Sequence, residues 1–144
     1  MKLPKFETLD LSCDARGVLT VALNRPEKRN AFSGQMIAEL HEFAQKVSAM
    51  DAVRVVVLRG RGRVFCAGGD LEWMKAQIAA DRAGRMAEAR KLAQMLKRLN
   101  TLPKPLIGVL QGGAYGGGVG LAAICDVAIA EDTTKFGLTE TRLG

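Results

Sequence analysis

Six of the nine residues from Gly112 to Gly120 are glycine, in the run GGAYGGGVG. Each glycine gives up more backbone entropy on folding than any other residue, so the run is costly unless something must approach the main chain closely. An apolar, helix-like stretch, Leu121 to Ile124, follows directly, and a shorter version of the pattern occurs at Ala67-Gly68-Gly69-Asp70. Two glycine-lined turns, one feeding a helix N-terminus, point to a site built from main-chain N–H donors rather than a side-chain nucleophile. The chemistry such donors favour is stabilisation of a developing oxyanion.

Other phosphate-type readings of the glycines fit poorly. No G-x-G-x-x-G can be traced through the run, and no G-K-[ST] accompanies it. The net charge of +6 suits a polyanionic partner such as a nucleotide cofactor, or simply a solvated surface. Nucleic acid is not expected, because Lys and Arg are spread along the chain and there is only one Trp and one Tyr for stacking. Cys13, Cys66 and Cys125 have neither disulfide nor metal spacing, and read as reduced packing thiols of a cytoplasmic protein. His41, the single histidine, argues against a Ser-His-Asp triad and a His-based metal site. No apolar run approaches the ~20 residues of a membrane span, and MKLPKFETLDL carries no apolar signal region.

The 144 residues fit one domain, 1–144, with no linker or repeat to mark another. VLTVAL at Val18–Leu23 reads as a strand, and Ser33 as the N-cap of a helix to about Ser48 with Met36, Ile37, Leu40, Phe43, Ala44 and Val47 on one face. Val53–Leu58 reads as a strand buried on both faces. Asp70 is placed to cap a short helix through Leu71, Trp73 and Met74. Asp81–Leu99 is the strongest helix, with Met86, Ala89, Ala93, Leu96 and Leu99 on one side and Pro103 and Pro105 beyond it. Leu106–Leu110 is a strand, the glycine run a turn, Gly117–Cys125 a buried helix, and Val127–Ala130 a further strand. Alternating strands and helices predict α/β architecture with right-handed crossovers. The chain stops at Leu143-Gly144 soon after an apolar segment, which suggests the front part of a longer protein or a natural truncation.

Four segments in order carry a more specific message: NRPEKRNAF (Asn24 to Phe32), VFCAGGDL (Val64 to Leu71), GGAYGGGVGLAAICDVAIA (Gly112 to Ala130) and FGLTETRLG (Phe136 to Gly144). Together they resemble the enoyl-CoA hydratase/isomerase (crotonase) family. The resemblance covers the N-terminal part of a member. It implies a crotonase-like α/β fold of repeated ββα units, lacking the C-terminal helices that complete the fold and its trimer contacts.

The resemblance also implies an acyl-CoA thioester as substrate, coenzyme A as part of that substrate rather than a prosthetic group, and no metal. The N–H groups of Gly69 and Gly117 become the donors to the thioester oxygen as an enolate forms. Glu140 matches the second catalytic glutamate of the hydratases; between Leu138 and Leu143 it is expected in apolar surroundings that favour its protonated form. Its bland alternative is a surface glutamate paired with Arg142. Lys28 and Arg29 correspond to a loop near the phosphates of coenzyme A, and Ala67, Gly68 and Asp70 to a segment along the adenine and pantetheine arm. Asp70 is also a helix cap on any reading, and Trp73 and Met74 serve the core or an acyl pocket.

One position departs from the pattern. Two-glutamate hydratases carry G-G-G-x-E where this chain reads G-G-G-V-G, so Gly120 supplies no carboxylate. Hydration is the first expectation, and GGDLEWMK hints at a branched or glutaconyl-type acyl group. Double-bond isomerisation by one glutamate and a non-catalytic acyl-CoA-binding relative are the alternatives, as is a fragment unable to fold alone. A full-length member would be a trimer or hexamer.

Overall fold

A computed structural model describes residues 2–142. The strands β1 (Leu9–Cys13) and β2 (Val18–Leu23) form an antiparallel pair, and α1 (Gly34–Ser48) leads to β3 (Val55–Gly60). Two helices, α2 (Leu71–Ala79) and α3 (Arg82–Asn100), precede β4 (Leu106–Leu110). Then come β5 (Gly113–Tyr115), α4 (Gly117–Ala123), β6 (Val127–Ala130), β7 (Lys135–Gly137) and a 3-10 turn at Thr139–Arg142. The main sheet has the order β1-β2-β3-β4-β6, parallel from β2 onward.

A second, smaller ladder runs beside it. Parallel β5 and β7 pair there, Cys66 bridges Ala114, and Phe32 bridges Gly69. Each unit therefore sends one strand to the main sheet, a short extended piece to the second, and then a helix. This is the repeated ββα pattern. Its consequence for function is that the short pieces, Phe32, Gly69 and β5, carry the two glycine turns into contact.

Local sequence explains the main elements. Ser33 Oγ accepts the N–H of Met36 and starts α1, whose Met36, Ile37, Leu40, Phe43, Ala44 and Val47 are all buried. Each large side chain on that face contributes roughly 1.5–3 kcal/mol by leaving water. They join Leu19, Val21 and Leu23 of β2, Val56 and Leu58 of β3, and Leu106 and Leu110 of β4 in one core.

Several expectations need correction. The third strand begins two residues later than Val53, and burial alternates along it: Val56 and Leu58 are fully buried, Val55 and Val57 only partly. Its apolar run thus has one covered face. On α3, Met86, Ala89 and Ala93 are exposed. The inward side is the stripe Leu92, Met95, Leu96 and Leu99, because only the end of this 19-residue helix near α1 meets the core. The glycine run is not one turn; its Gly113–Tyr115 segment pairs with Lys135–Gly137. Helix α4 ends at Ala123 rather than Cys125, with Gly118 and Leu121 its buried residues.

All four residues of β6 are exposed, and Phe136 and Leu138 are also more than half exposed. Among the described residues, no helix is long and apolar enough to cross a membrane.

Candidate active site

The shorter glycine turn is held by a parallel bridge. Phe32 donates its N–H to Gly68 O (2.7 Å) and accepts the N–H of Asp70 (2.8 Å). In such a bridge the residue opposite, Gly69, points its own N–H and C=O away from its partner strand. The Gly69 N–H finds no protein acceptor among the described residues. A main-chain donor is thus left without a protein partner among the described residues.

Asp70 fixes the next step of the chain. Its Oδ1 accepts the N–H groups of Glu72 and Trp73 at the start of α2, and its Oδ2 receives Arg25 Nη2 at 3.3 Å. Burial disfavours the charge, but the Trp73 and Glu72 N–H groups and the Arg25 guanidinium outweigh it and hold the carboxyl below its ordinary value of 3.8. A depressed folded value means that stability is present above pH 3.8 and is lost as pH falls through the lower value. The stability difference between the unaltered chain and Asp70→Asn, measured by urea unfolding, is therefore expected to hold near pH 6 and to shrink as the pH falls below about 4.

The longer run is organised around a carboxylate. Gly116 has φ of +51°, and a Cβ placed on it would lie 2.1 Å from Glu140 Oε1. The 3-10 turn at Thr139–Arg142 thus lays Glu140 against the N-cap of α4, one residue from Gly117. The Gly117 N–H, first of the helix, also finds no protein acceptor among the described residues. Its position at a helix start adds the favourable end of the peptide dipoles.

The two turns touch through specific atoms. A Cβ on Gly118 would lie 2.4 Å from Cys66 O, and one on Gly68 would lie 2.9 Å from Tyr115 O. The Phe32 ring packs on Gly117, where a Cβ would lie 2.4 Å from Cε2. Phe32 therefore meets one donor through its backbone and the other through its ring. Gly120 is different. A Cβ there would meet only the Leu96 methyls, at 3.9 and 4.0 Å, so space alone does not require glycine.

Glu140 itself is exposed, as is Leu138, and Leu143 lies outside the described residues. The apolar enclosure expected for Glu140 is thus not formed here, since nothing among the described residues covers its outer side. No ion pair joins it to Arg142 among the described residues.

Lys28 ends a 3-10 turn at Pro26–Lys28, and Arg29 follows in the left-handed region. Arg29 O accepts the Ala67 N–H at 2.9 Å, tying this basic turn to the Ala67-Gly68-Gly69-Asp70 segment. A cavity of about 480 Å³ opens there between Pro26, Glu27, Arg29, Gly62, Arg63 and Val64. Trp73 is half-buried against the core, and Met74 lies against Gly69, beside the donor. His41 is half-buried in a groove between α1 and α3, away from both turns.

Two residues without a role in the sequence reading hold this arrangement. Arg25 links Asp70 to the first loop. Asn30, fully buried with φ of +55°, accepts the Arg25 N–H through Oδ1 and donates from Nδ2 to Arg61 O and Val64 O. No local signal marks either as buried, since their partners Asp70 and Val64 lie far along the chain.

Main-chain donors held beside a carboxylate are the groups that oxyanion stabilisation and proton transfer call for. Residues 14–144 match the family model described as enoyl-CoA hydratase/isomerase. The chain belongs to the enoyl-CoA hydratase/isomerase family. It is 38% identical over 133 residues to a Mycobacterium leprae protein named a probable enoyl-CoA hydratase, covering 90% of this chain and 51% of the relative. It is also 38% identical over 135 residues to the 1,2-epoxyphenylacetyl-CoA isomerase of Escherichia coli, covering 93% and 52%. A crystal structure of an enoyl-CoA hydratase from Shewanella pealeana superposes with a TM-score of 0.93 at 34% identity, covering 97% of this chain and 52% of that one. The chain spans about half the length of the curated relatives it matches.

Proposed function

We propose that the protein built on this chain binds an acyl-CoA thioester and stabilises its enolate with the N–H groups of Gly69 and Gly117. Glu140 moves the proton. The observation that carries this reading is that two N–H groups without protein acceptors among the described residues belong to glycine turns that touch each other, one of them packed against Glu140 Oε1. When a proton leaves the α-carbon, negative charge collects on the thioester oxygen, where fixed donors are each worth a few kcal/mol. Lys28 and Arg29 face the coenzyme A phosphates, and Ala67 and Gly68 run along its pantetheine arm. Asp70 acts by holding this segment, since both its oxygens are engaged within the protein.

The reaction that needs only these groups is double-bond migration. Glu140 takes the α-proton of a β,γ-enoyl thioester, the dienolate rests on the donors, and the same carboxyl returns the proton to the γ-carbon. Hydration is the second reading, favoured by relatives named as hydratases. It requires a base for water and an acid for the α-carbon, and Gly120 offers neither. The GGDLEWMK segment supports a branched or glutaconyl-type acyl group. The trimer or hexamer and the cytoplasmic setting belong to the same reading of the whole protein.

Supplying the intact protein with β,γ- and α,β-enoyl-CoA in deuterated water tests it. Migration of the double bond with deuterium entering the carbon skeleton is expected. Tight coenzyme A binding with neither migration nor exchange would sink the catalytic reading in favour of a binding protein.

A further inference from the structure

We propose that Arg25 is a positioning residue for the Gly69 donor, a role that rests on the acyl-CoA reading above. Its guanidinium donates from Nη1 to Ala31 O at 2.8 Å and from Nη2 to Asp70 Oδ2 at 3.3 Å. Ala31 precedes Phe32 and Asp70 follows Gly69, so these two contacts flank the Phe32–Gly69 bridge on both of its chains. The pair is largely withdrawn from water, with side-chain exposures of 18% for Arg25 and 10% for Asp70. An exposed ion pair is worth little, but one partner removed here leaves the other buried and uncompensated.

The clamp is itself anchored. Arg25 N donates to Asn30 Oδ1, Asn30 N donates to Arg25 O, and Asn30 Nδ2 reaches Arg61 O and Val64 O. The Arg25 main chain is thereby fixed to the loop that precedes the glycine turn. The guanidinium is a planar fork that serves two acceptors from different segments at once. A lysine ammonium on a flexible stem holds no such fixed geometry. With Phe32 N bonded to Gly68 O, the direction of the Gly69 N–H follows the tilt of that peptide. Arg25 sets the tilt by gripping both neighbours of the bridge.

Loss of the guanidinium leaves Gly69 in place but less firmly aimed. A donor that matters only when charge develops affects kcat, whereas ground-state binding of the coenzyme A portion sets most of KM. The expected loss in kcat is about tenfold or more, short of the ~10²–10³-fold loss from deleting an oxyanion donor.

The test uses acetoacetyl-CoA, whose α-proton leaves to solvent to give a stable enolate with near-ultraviolet absorbance. Arg25→Gln, Asp70→Asn and the double variant are compared with the unaltered protein for affinity and for the enolised fraction once bound. Affinity within about threefold and an enolised fraction about tenfold lower are expected in both single variants. The double variant is expected to be no worse than the weaker single, because both remove one interaction. Asp70→Asn keeps the carboxamide oxygen that caps α2 and carries the test if Arg25→Gln fails to fold. An unchanged enolised fraction, or affinity lost in step with it, overturns the positioning role. Failure of the unaltered protein to bind acetoacetyl-CoA overturns the acyl-CoA reading itself.

Discussion

Glu140→Gln is expected to lower kcat for double-bond migration by about 10²–10⁴-fold, with KM little changed. Glutamine has the shape of glutamate and keeps the contact with Gly116, but it cannot take up a proton. The donors at Gly69 and Gly117 remain, so the thioester still binds and its oxygen is still met by two N–H groups. What is lost is the carboxylate placed against the N-cap of α4, where Oε1 fills the position a Gly116 side chain would need. Exchange of the α-proton with solvent, followed by mass or magnetic resonance, is expected to fall in parallel with migration. A Glu140→Gln protein that exchanges and isomerises at the original rate would show that the proton travels by another group. A fall in KM-related binding alone would instead make Glu140 a ligand contact.

That expectation joins two features that are distant in the chain. The glycines between Tyr115 and Val119 are not interchangeable spacers. Gly116 makes room for a carboxylate, Gly117 for the Phe32 ring, and Gly118 for the Cys66 carbonyl. Each vacancy is filled by a different part of the protein, from residues 32, 66 and 140. The glycine run is therefore the point where the first, second and fourth ββα units meet the third. Its entropic cost is offset by the contacts that bring the two glycine turns and Glu140 together.

Much of this was legible in the sequence because the signals were local. Ser33 and the spacing of Met36, Ile37, Leu40, Phe43, Ala44 and Val47 define α1 without reference to the rest of the chain. The strands Val18–Leu23 and Leu106–Leu110 are bounded by Asn24-Arg25-Pro26 and by prolines. The inward side of α3 was not legible, since alanines count as apolar in a periodic pattern yet bury little. Met95 reaches the core where Ala89 and Ala93 do not, because the crossing with α1 selects that side. The short strands Gly113–Tyr115 and Lys135–Gly137 exist through pairing with each other, across the stretch from Gly116 to Thr134. Arg25 and Asn30 were hidden for the same reason. Their partners, Asp70 and Val64, lie 45 and 34 residues away, and a basic or polar residue in a turn has no local mark of burial.

Gly120→Glu is expected to create or raise hydration of an α,β-enoyl-CoA by about 10²-fold, the lower end of what a positioned acid or base contributes. Unlike its neighbours, Gly120 is open: an added Cβ meets only the Leu96 methyls, near 4 Å. The residue lies within α4, three positions after the Gly117 donor, so its side chain projects along the same side of the helix one turn on. Replacing a helix-interior glycine also favours the helix by up to about 1 kcal/mol, and a negative charge near the N-terminus suits the dipole. Two carboxylates at one site tend to keep a proton between them, which is the state that addition of water requires: one group as base, the other as acid. Gly120→Gln occupies the same space without a titrating proton and is expected to leave hydration at its original level. Hydration raised by both variants would point to a filled cavity rather than acid–base chemistry. A folded Gly120→Glu protein that isomerises but gains no hydration would mean that the missing carboxylate is not what separates this site from a hydratase. The determinant would then be how water is placed at the β-carbon.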